Sequence, residues 1–413
     1  MLLRRALLTV PRLQRRHIST AFAPGDLALL RPTKSDRNNS YASPILTKPL
    51  LPTGRVETHK GIIPHSSILG KQVRDVVRTN VSTDRRDGRG KGGGGGGGGG
   101  GQEYRLHEVK LEEYVRLTRR LVTPLYPQDA GLIVGLLDLH PEPARWGEDK
   151  GKRLEVLEAG TGHGALTLYL SRAIHGANTP FPRAPRDDGA EEEGEDIAVE
   201  AWKAQRRAVV HSVEISEKYS EHARTIVDGF RHGMYTPNVD FHVGSVSAIT
   251  SSLLAERQGK EFLSHAFLDL PGTEEHLGIV ASALRVDGAL VVFCPSITQV
   301  MACFETVKTD GIPLEMEKVL ELGVNGGSGG REWDVRAVKP RARQQARDVV
   351  DGDGDGEARA QEDSGVELSS SNEDDAQGKS AGEEEGWKMI CRPKVGELVV
   401  GGGFLGVFRK KRV

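Results

Sequence analysis

Residues 154–170 read LEVLEAGTGHGALTLYL, and this stretch decides the fold. Its first part is a short apolar run suited to a buried parallel strand, and its last part, ALTLYL, opens an amphipathic helix. Between them lies a glycine-rich turn, residues 158–164. Glycines let the backbone approach a ligand closely, and the N-terminus of the following helix offers unpaired N–H groups. The stretch therefore predicts a strand, loop and helix that hold the polar end of a nucleoside cofactor.

The spacing of the glycines indicates which cofactor. A dinucleotide fingerprint is G-x-G-x-x-G, whereas here the third glycine comes one position early and an acid stands two residues before the first. The pattern E-x-G-x-G-x-G resembles motif I of class I S-adenosylmethionine methyltransferases. That resemblance implies that Glu158 lies near the methionine amino group and that the cofactor lies over Gly160, Thr161, Gly162, His163 and Gly164. A glycine-rich loop without a ligand is the alternative.

Length and composition bound what the chain can be. At 413 residues it has room for two domains and additional unstructured segments. No apolar run approaches the roughly 18 residues that span a bilayer, so we expect no membrane partner. Cys294, Cys303 and Cys391 are scattered without C-x-x-C spacing, which argues against a metal site or a disulfide framework and suits a reducing compartment.

The net charge of −2 hides a strong asymmetry. Residues 187–200 carry eight acids and no base, and residues 348–386 carry fourteen acids and two bases. The rest of the chain is therefore strongly basic, even when the five arginines of residues 1–16 are set aside. Such a balance favours a polyanionic partner such as nucleic acid, although ordinary solvated surface is the alternative.

The N-terminal region divides into three segments. Residues 1–20 combine arginines, apolar residues and hydroxyl side chains, with no acid before Asp26; this composition predicts a mitochondrial presequence and a protein of the mitochondrial matrix. A disordered basic N-terminus is the alternative. Residues 22–80 hold short apolar pieces punctuated by glycine and proline, which predict a small β-rich domain. Residues 81–102 are polar and then almost pure glycine, so we expect a disordered insertion.

Residues 103–340 alternate predicted helices and strands. This order predicts an α/β fold, a Rossmann-like and mainly parallel sheet with helices on both faces. Within it, residues 176–205 are rich in proline and acid and are expected to be a disordered insertion. Residues 341–386 are predicted to be a second, acidic disordered insertion, and residues 387–413 a strand region that completes the sheet.

Two helix-like segments precede the central strand. Residues 123–129 separate them, and the prolines of that link keep it out of a helix, so the second helix is predicted to begin at Ala130. Arg116, Arg119 and Arg120 fall on nearby turns of the first segment. They are candidates for contact with phosphate, although such a set is also the ordinary solvated face of a helix.

Two acids follow predicted strands at the edge where such sheets bind ligands. When residues 176–205 are left out, Glu214 follows the glycines by about 20 residues, the usual distance for an acid that accepts both ribose hydroxyls. Asp269, in FLDLP, ends a later strand and is expected to face the transferable methyl group. For both residues, a strand-end acid that simply faces solvent is the alternative.

Several separate motifs recur in the order of one family. YPQDA, VLEAGTGHGALT, VEIS, FLDLP and FCPSITQV followed by REWDVRAV resemble the catalytic subunit of tRNA (adenine-N(1))-methyltransferase, the enzyme of the T-loop adenosine at tRNA position 58. The resemblance runs from about Pro24 to Val338 and resumes near Leu398. It is broken only by the three low-complexity insertions.

This resemblance implies a function and partners. The chain is expected to transfer a methyl group from S-adenosylmethionine to N(1) of adenine in tRNA, giving N(1)-methyladenosine. Asp269 is the expected catalytic residue, hydrogen-bonded to the exocyclic amine, and Tyr126 is a wall of the same pocket or, alternatively, a packing aromatic. The family further implies that the N-terminal β domain helps hold tRNA. It also implies a homotetramer, or a heterotetramer with a non-catalytic related subunit; in the second case the expected location is the nucleus.

The sequence departs from this family at two places. The family usually continues LDLP with a Pro-Trp pair, where this chain has Gly272-Thr273-Glu274. It also commonly places an acid after the third strand to bind the adenine amino group of the cofactor, where this chain has Ser245. A serine hydroxyl accepts only a neutral hydrogen bond, which predicts weaker cofactor binding.

Two other functions fit parts of the same pattern. A class I methyltransferase that acts on another RNA, a protein or a small molecule would share every sheet motif, and only the N-terminal β domain, LDLP and FCPSITQV argue against it. A non-catalytic tRNA-binding subunit would be expected to have lost the glycines of the loop, and this chain keeps all three.

Overall fold

The computed structural model describes residues 21–33, 43–80, 101–142, 153–178, 192–323, 333–338, 388–393 and 402–412. The predicted presequence (1–20) and the predicted acidic insertion 341–386 lie outside the described residues. So does the glycine-rich insertion 81–102, apart from its last two residues.

The N-terminal region is built from short β-strands. They are β1 (Leu29–Pro32), β2 (Ile45–Leu46), β3 (Arg55–Thr58), β4 (Gly61–Pro64), β5 (Val76–Arg78) and β6 (Glu103–His107). Four of them form an antiparallel sheet in the order β2-β1-β6-β5, and β3 and β4 form a separate antiparallel pair. This antiparallel sheet confirms the β-rich region predicted to precede the α/β fold.

Strand β6 corrects a predicted boundary. Residue 103 was expected to begin the α/β domain within a helix-like segment, yet β6 pairs with β1 and β5 of the N-terminal sheet. Its Tyr104 and Leu106 are buried, while the alternating residues 103, 105 and 107 are partly exposed, the period-two pattern of a half-buried strand. Only the later part of the segment is helical, as α1 (Leu111–Leu117).

A second, larger sheet forms the body of the molecule. The remaining strands are β7 (Leu154–Ala159), β8 (Ala208–Glu214), β9 (Val239–Val243), β10 (Leu263–Leu268), β11 (Leu284–Cys294), β12 (Leu314–Leu322), β13 (Trp333–Val338), β14 (Lys388–Pro393) and β15 (Gly403–Lys410). Seven form one sheet in the order β12-β15-β11-β10-β7-β8-β9. Its strands β7 to β11 pair in parallel, and β15 runs antiparallel to both of its neighbours.

Helices cover this sheet on both faces. In addition to α1 they are α2 (Pro127–Leu137), α3 (Ala165–Ile174), α4 (Glu192–Gln205), α5 (Glu217–Gly229), α6 (Val246–Glu256), α7 (Leu277–Ala283) and α8 (Ile297–Thr309). Helices α2, α3 and α5 share one apolar core with the sheet, and α6, α7 and α8 share the other. The predicted α/β fold is confirmed. No helix of the described chain is long and apolar enough to cross a membrane.

Two helices differ from their prediction. Helix α2 begins at Pro127 rather than Ala130, because proline fits the first turn of a helix, where its missing N–H is not needed. Helix α4 occupies part of the stretch 176–205 that was expected to be disordered. Trp202 near its end is buried, and the Arg206 guanidinium lies 5.8 Å from the centroid of its ring. The prediction of disorder rested on the acidic composition of the stretch and overlooked this buried tryptophan.

The chain divides into two compact units. The first consists of Met1–Gly329 together with Val399–Val413, and the second is Gly330–Leu398. The described part of the second unit is the antiparallel pair of β13 and β14. Residues 387–413 were expected to complete the main sheet. Strand β15 does join that sheet, whereas β14 pairs with β13 instead.

The strand order reverses beside β7. From β7 the chain proceeds through β8 to β9 at one edge, and then returns to β10 and β11 on the other side of β7. Such a reversal leaves a crevice at the carboxyl ends of the strands, where open α/β sheets bind ligands. The predicted ligand loop follows β7, while Glu214 ends β8 and Asp269 follows β10.

Candidate active site

The glycine-rich loop joins β7 to α3 with a backbone that only glycine adopts readily. Gly160, Gly162 and Gly164 have φ angles of 87°, 53° and 81°, in the left-handed region. A Cβ atom at Gly160 would overlap the carbonyl oxygen of Asp269. The loop and the end of β10 therefore approach as closely as two backbones can.

Glu158 lies on β7 just before the loop and is only 1% exposed. Its Oε2 accepts hydrogen bonds from the hydroxyls of Thr167, at 2.6 Å, and Ser212, at 3.0 Å. Burial raises the pKa of Glu158 to about 7, although both hydrogen bonds act to lower it. The carboxyl thus connects β7 with α3 and β8. Its predicted contact with a methionine amino group stays a prediction.

Glu214 lies beside the loop at the end of β8. Its Oε2 accepts from the Gly162 N–H at 3.0 Å, and its Oε1 accepts from the Ser216 N–H at 3.1 Å. These two bonds fix the carboxylate against the loop that was predicted to bind the cofactor. The structure therefore brings together the two features that the spacing argument had linked.

Asp269 is the third acid around the same loop. Its N–H donates to the Ala159 carbonyl at 2.9 Å, which anchors the residue beside the end of β7. Burial and the nearby charge of Glu214 raise the pKa of Asp269 to about 6. Its charge in turn contributes to the raised pKa of Glu158, so the three carboxyls form one electrostatic cluster.

Ser245 follows β9 and begins α6. Its Oγ accepts a hydrogen bond from the Ala248 N–H at 3.2 Å, so the hydroxyl caps the helix. The preceding Gly244 donates its N–H to the Glu214 carbonyl at 3.0 Å, and this bond holds the ends of β8 and β9 together. A helix-capping hydroxyl retains one proton and one lone pair for a ligand.

Tyr126 stands at the N-cap of α2 and is partly buried. The Arg120 guanidinium lies 6.0 Å from the centroid of its ring, at the outer limit of a cation–π contact. Arg119 and Arg120 are exposed, and Arg120 also donates to the Arg116 carbonyl at 3.2 Å. Of the predicted basic set, Arg120 thus lies beside Tyr126.

His163 points elsewhere. It is 2% exposed, its Nε2 lies 3.3 Å from the Thr118 Oγ1, and its ring packs edge-on against His222 of α5 at 5.5 Å between centroids. Thr161 is also turned inward, with its hydroxyl 2.7 Å from that of Ser212. The side chains of these two loop residues pack inside the protein, so only their backbone is left to contact the cofactor as predicted.

Two further residues lie at strand ends beside the site and escaped the sequence reasoning. Ile215 directly follows β8 and Val243 is the last residue of β9, and they are 75% and 52% exposed. The signal for Ile215 was present in the sequence, because an apolar residue directly after a strand-end acid has no core to enter.

Comparison with known proteins agrees with this geometry, although no protein-family model matches the chain. A solved S-adenosylmethionine-dependent O-methyltransferase from Thermotoga maritima has a similar fold, with a TM-score of 0.53 over 96% of this chain and 97% of that chain, at 14% identity. The fold is that of the class I S-adenosylmethionine methyltransferases.

The amino-acid sequence is similar to a narrower group. It is 31% identical over 288 residues to the tRNA (adenine(58)-N(1))-methyltransferase TrmI of Thermus thermophilus, in each of two strains. That match covers 69% of this chain and 82% of the relative. The chain belongs to the TrmI family of tRNA (adenine(58)-N(1))-methyltransferases, which confirms the resemblance read from the motifs.

Proposed function

We propose that this protein transfers a methyl group from S-adenosylmethionine to N(1) of adenine 58 in the T-loop of tRNA, giving N(1)-methyladenosine. The observation that carries the proposal is the close approach of Asp269 to the glycine-rich loop. It places a partly buried carboxylate beside the loop that would hold the methyl donor, in a chain of the TrmI family.

The residues around the loop fit S-adenosylmethionine. Glu214 offers carboxylate oxygens for the ribose hydroxyls, and the Ser245 hydroxyl is available to the adenine amino group. Ile215 and Val243 expose apolar surface at the neighbouring strand ends, which suits the faces of a purine ring. When bound, the cofactor supplies a methyl group activated by its sulfonium.

Asp269 supplies the electrostatic part of the reaction. Adenine N(1) has an in-plane lone pair and needs no base, so the protein chiefly positions the two reactants and excludes water. The purine becomes cationic as the methyl group arrives. A carboxylate that accepts from the exocyclic amine therefore stabilises the transition state more than the ground state. Tyr126 would form a wall of the base pocket, and Arg119 and Arg120 would meet tRNA phosphates.

The proposal is tested with labelled S-adenosylmethionine and two T-loop substrates. One is a tRNA transcript with adenine 58, and the matched control carries guanine there. We expect label in the first only, and mapping should locate it at N(1) of adenine 58. Label at another base, in protein or in a small molecule would contradict the proposal, and binding of tRNA without methyl transfer would indicate a non-catalytic subunit.

We further propose a mitochondrial protein that works as a tetramer, either of this chain alone or with a non-catalytic related subunit. The composition of residues 1–20 supports the location, and the family resemblance supports the assembly. A fusion of residues 1–40 to a fluorescent reporter should enter mitochondria. A diffuse or nuclear signal would favour the nuclear location, and light scattering of the purified chain distinguishes a homotetramer from a form that needs a partner.

A further inference from the structure

The side chain of His163 links the glycine-rich loop to another part of the protein. His163 stands between Gly162 and Gly164, but its ring is buried against Thr118 and His222. Thr118 is the C-cap of α1. It opens residues 118–126, here called the connection, which lead to α2.

The connection carries the residues proposed to meet the substrate. Arg119 and Arg120 are exposed on it, and Tyr126 ends it. It touches the loop at a second point as well, because a Cβ atom at Gly162 would lie 3.3 Å from Val122 Cγ2. A change in the loop backbone therefore has two routes to the connection, one through His163 and one through Val122.

The hydrogen-bonding pattern shows that the His163 contact is specific. Its Nε2 faces the Thr118 hydroxyl, while its Nδ1 has no hydrogen-bond partner among the described residues. Burial, together with the charges of His222 and Arg120, lowers the pKa of His163 to about 4. The ring is thus neutral at physiological pH and does not repel the neighbouring arginines. A buried neutral imidazole that contacts the Thr118 hydroxyl and the Arg119 backbone is suited to holding one geometry.

We propose that His163 is a positioning residue that couples cofactor binding to tRNA binding. It fixes the start of the connection to the loop, so that a loop held by the cofactor also holds Arg119, Arg120 and Tyr126 in place for tRNA. His163 touches no reacting atom in this scheme. The proposal rests on the proposed function, since it takes the cofactor and tRNA as the two ligands.

Binding linkage provides the test. If one ligand orders what the other needs, each raises the affinity of the other by the same factor. The affinity for a T-loop tRNA transcript is measured with and without saturating S-adenosylhomocysteine, and the reverse titration is measured with and without tRNA. We expect the intact protein to show a coupling factor of roughly tenfold, within the common range for such linkage.

The variants separate a hydrogen-bonded link from simple packing. His163→Ala and Thr118→Val should each lower the coupling factor to the part that the Val122 contact still carries, and the double variant should lose no more than either single variant. His163→Gln should keep most of the coupling, because its amide nitrogen reaches about as far as Nε2. His163→Asn is the matched control: its shorter amide stands near the position of Nδ1 and should fail to restore the coupling.

The outcomes distinguish the inference from the proposed function. An intact protein that methylates adenine 58 but shows no coupling, or a His163→Ala variant that keeps it, would overturn the role of His163 alone. If His163→Ala does not fold, Thr118→Val decides, and unchanged coupling in that variant rejects the link. Failure of the intact protein to methylate adenine 58 would reject the proposed function itself.

Discussion

The carboxyl groups at the two ends of the parallel strands have pKa values that are shifted in opposite directions. At the amino ends, Glu155 Oε2 lies 2.9 Å from His211 Nε2 and 2.9 Å from Arg257 Nη2. Burial acts to raise the pKa of Glu155, but the hydrogen bond to His211 and the charges of His211 and Arg257 outweigh it and lower the pKa. At the carboxyl ends, burial raises the pKa values of Glu158 and Asp269 to about 7 and about 6.

This difference separates structural from functional acids. A buried carboxylate paired with cations contributes to folding and has its charge already neutralised. A buried carboxylate whose neighbours are other carboxylates is destabilised as an anion, and a ligand that brings positive charge relieves it. The cationic adenine formed by methylation would do so at Asp269. The same sheet thus carries a structural ion cluster at one end and a site prepared for positive charge at the other.

The largest expected effect is on catalysis at the carboxyl ends. Asp269→Ala should lower the single-turnover rate at saturating tRNA and cofactor by on the order of 10²-fold, or about 3 kcal/mol. Asp269→Asn should recover part of this, because its amide oxygen still accepts from the exocyclic amine. Thermal unfolding should show no loss of stability. A variant with a normal rate at saturation would mean that Asp269 only helps to bind a ligand.

The opposite result is expected at the amino ends. Glu155→Gln should reduce the free energy of unfolding by about 3 kcal/mol, because it removes the buried anion that pairs with Arg257 and lies within hydrogen-bond distance of His211. The methylation rate should not change. Glu256→Gln is the matched control, since Glu256 also faces Arg257, at 3.7 Å, but has a side chain 64% exposed and should cost little. If both variants lost the same free energy of unfolding, the buried ion cluster at the amino ends would have no special structural role.

The effect of pH should also differ between the two ends. The folded pKa of Asp269 lies above the unfolded value of about 4, so its stabilising contribution is complete at low pH and is lost as pH rises through about 6. The lowered pKa of Glu155 has the reverse effect: its contribution is present above the unfolded pKa and is lost as pH falls. Urea titrations from about pH 3 to about pH 8 cover both transitions. Compared with the intact protein, Asp269→Asn should lack the stability change around pH 6, and Glu155→Gln should lack the one at acidic pH.

The reaction rate gives the kinetic form of the same prediction. Because the reaction uses the ionised carboxylate, the single-turnover rate should fall about tenfold for each pH unit below about 6. Asp269→Asn should lack this dependence. Glu158, with a pKa raised to about 7, titrates nearby, so Glu158→Gln is measured in parallel. If that variant alone removes the pH dependence, the group responsible is Glu158.

The sequence predicted the parts of the site that follow directly from a strand. The loop, Glu214 and Asp269 each come immediately after an apolar run, and the strand order then brings their ends to one edge. Strand β6 was missed because its pairing with β1 crosses more than 70 residues of chain. The contact of His163 with Thr118 was missed for a similar reason, since no local pattern reports which way a loop side chain turns.

The smallest expected effect is a change in cofactor affinity when Glu214 is substituted. In Glu214→Gln the amide oxygen can still accept from the Gly162 or Ser216 N–H, so the loop should keep its shape. A neutral acceptor binds the ribose hydroxyls less strongly than a carboxylate by about 1 kcal/mol, which corresponds to roughly fivefold in cofactor affinity. Titration calorimetry with S-adenosylhomocysteine measures this, with the exposed Glu217→Gln as control.

The same variant also tests the electrostatic cluster. The charge of Glu214 contributes to the raised pKa of Asp269, so its removal should move the acid side of the rate profile to lower pH. A weaker affinity with an unmoved profile would confine Glu214 to cofactor binding. A moved profile would show that the acid holding the cofactor also adjusts the acid that serves the base, because one buried charge acts on both.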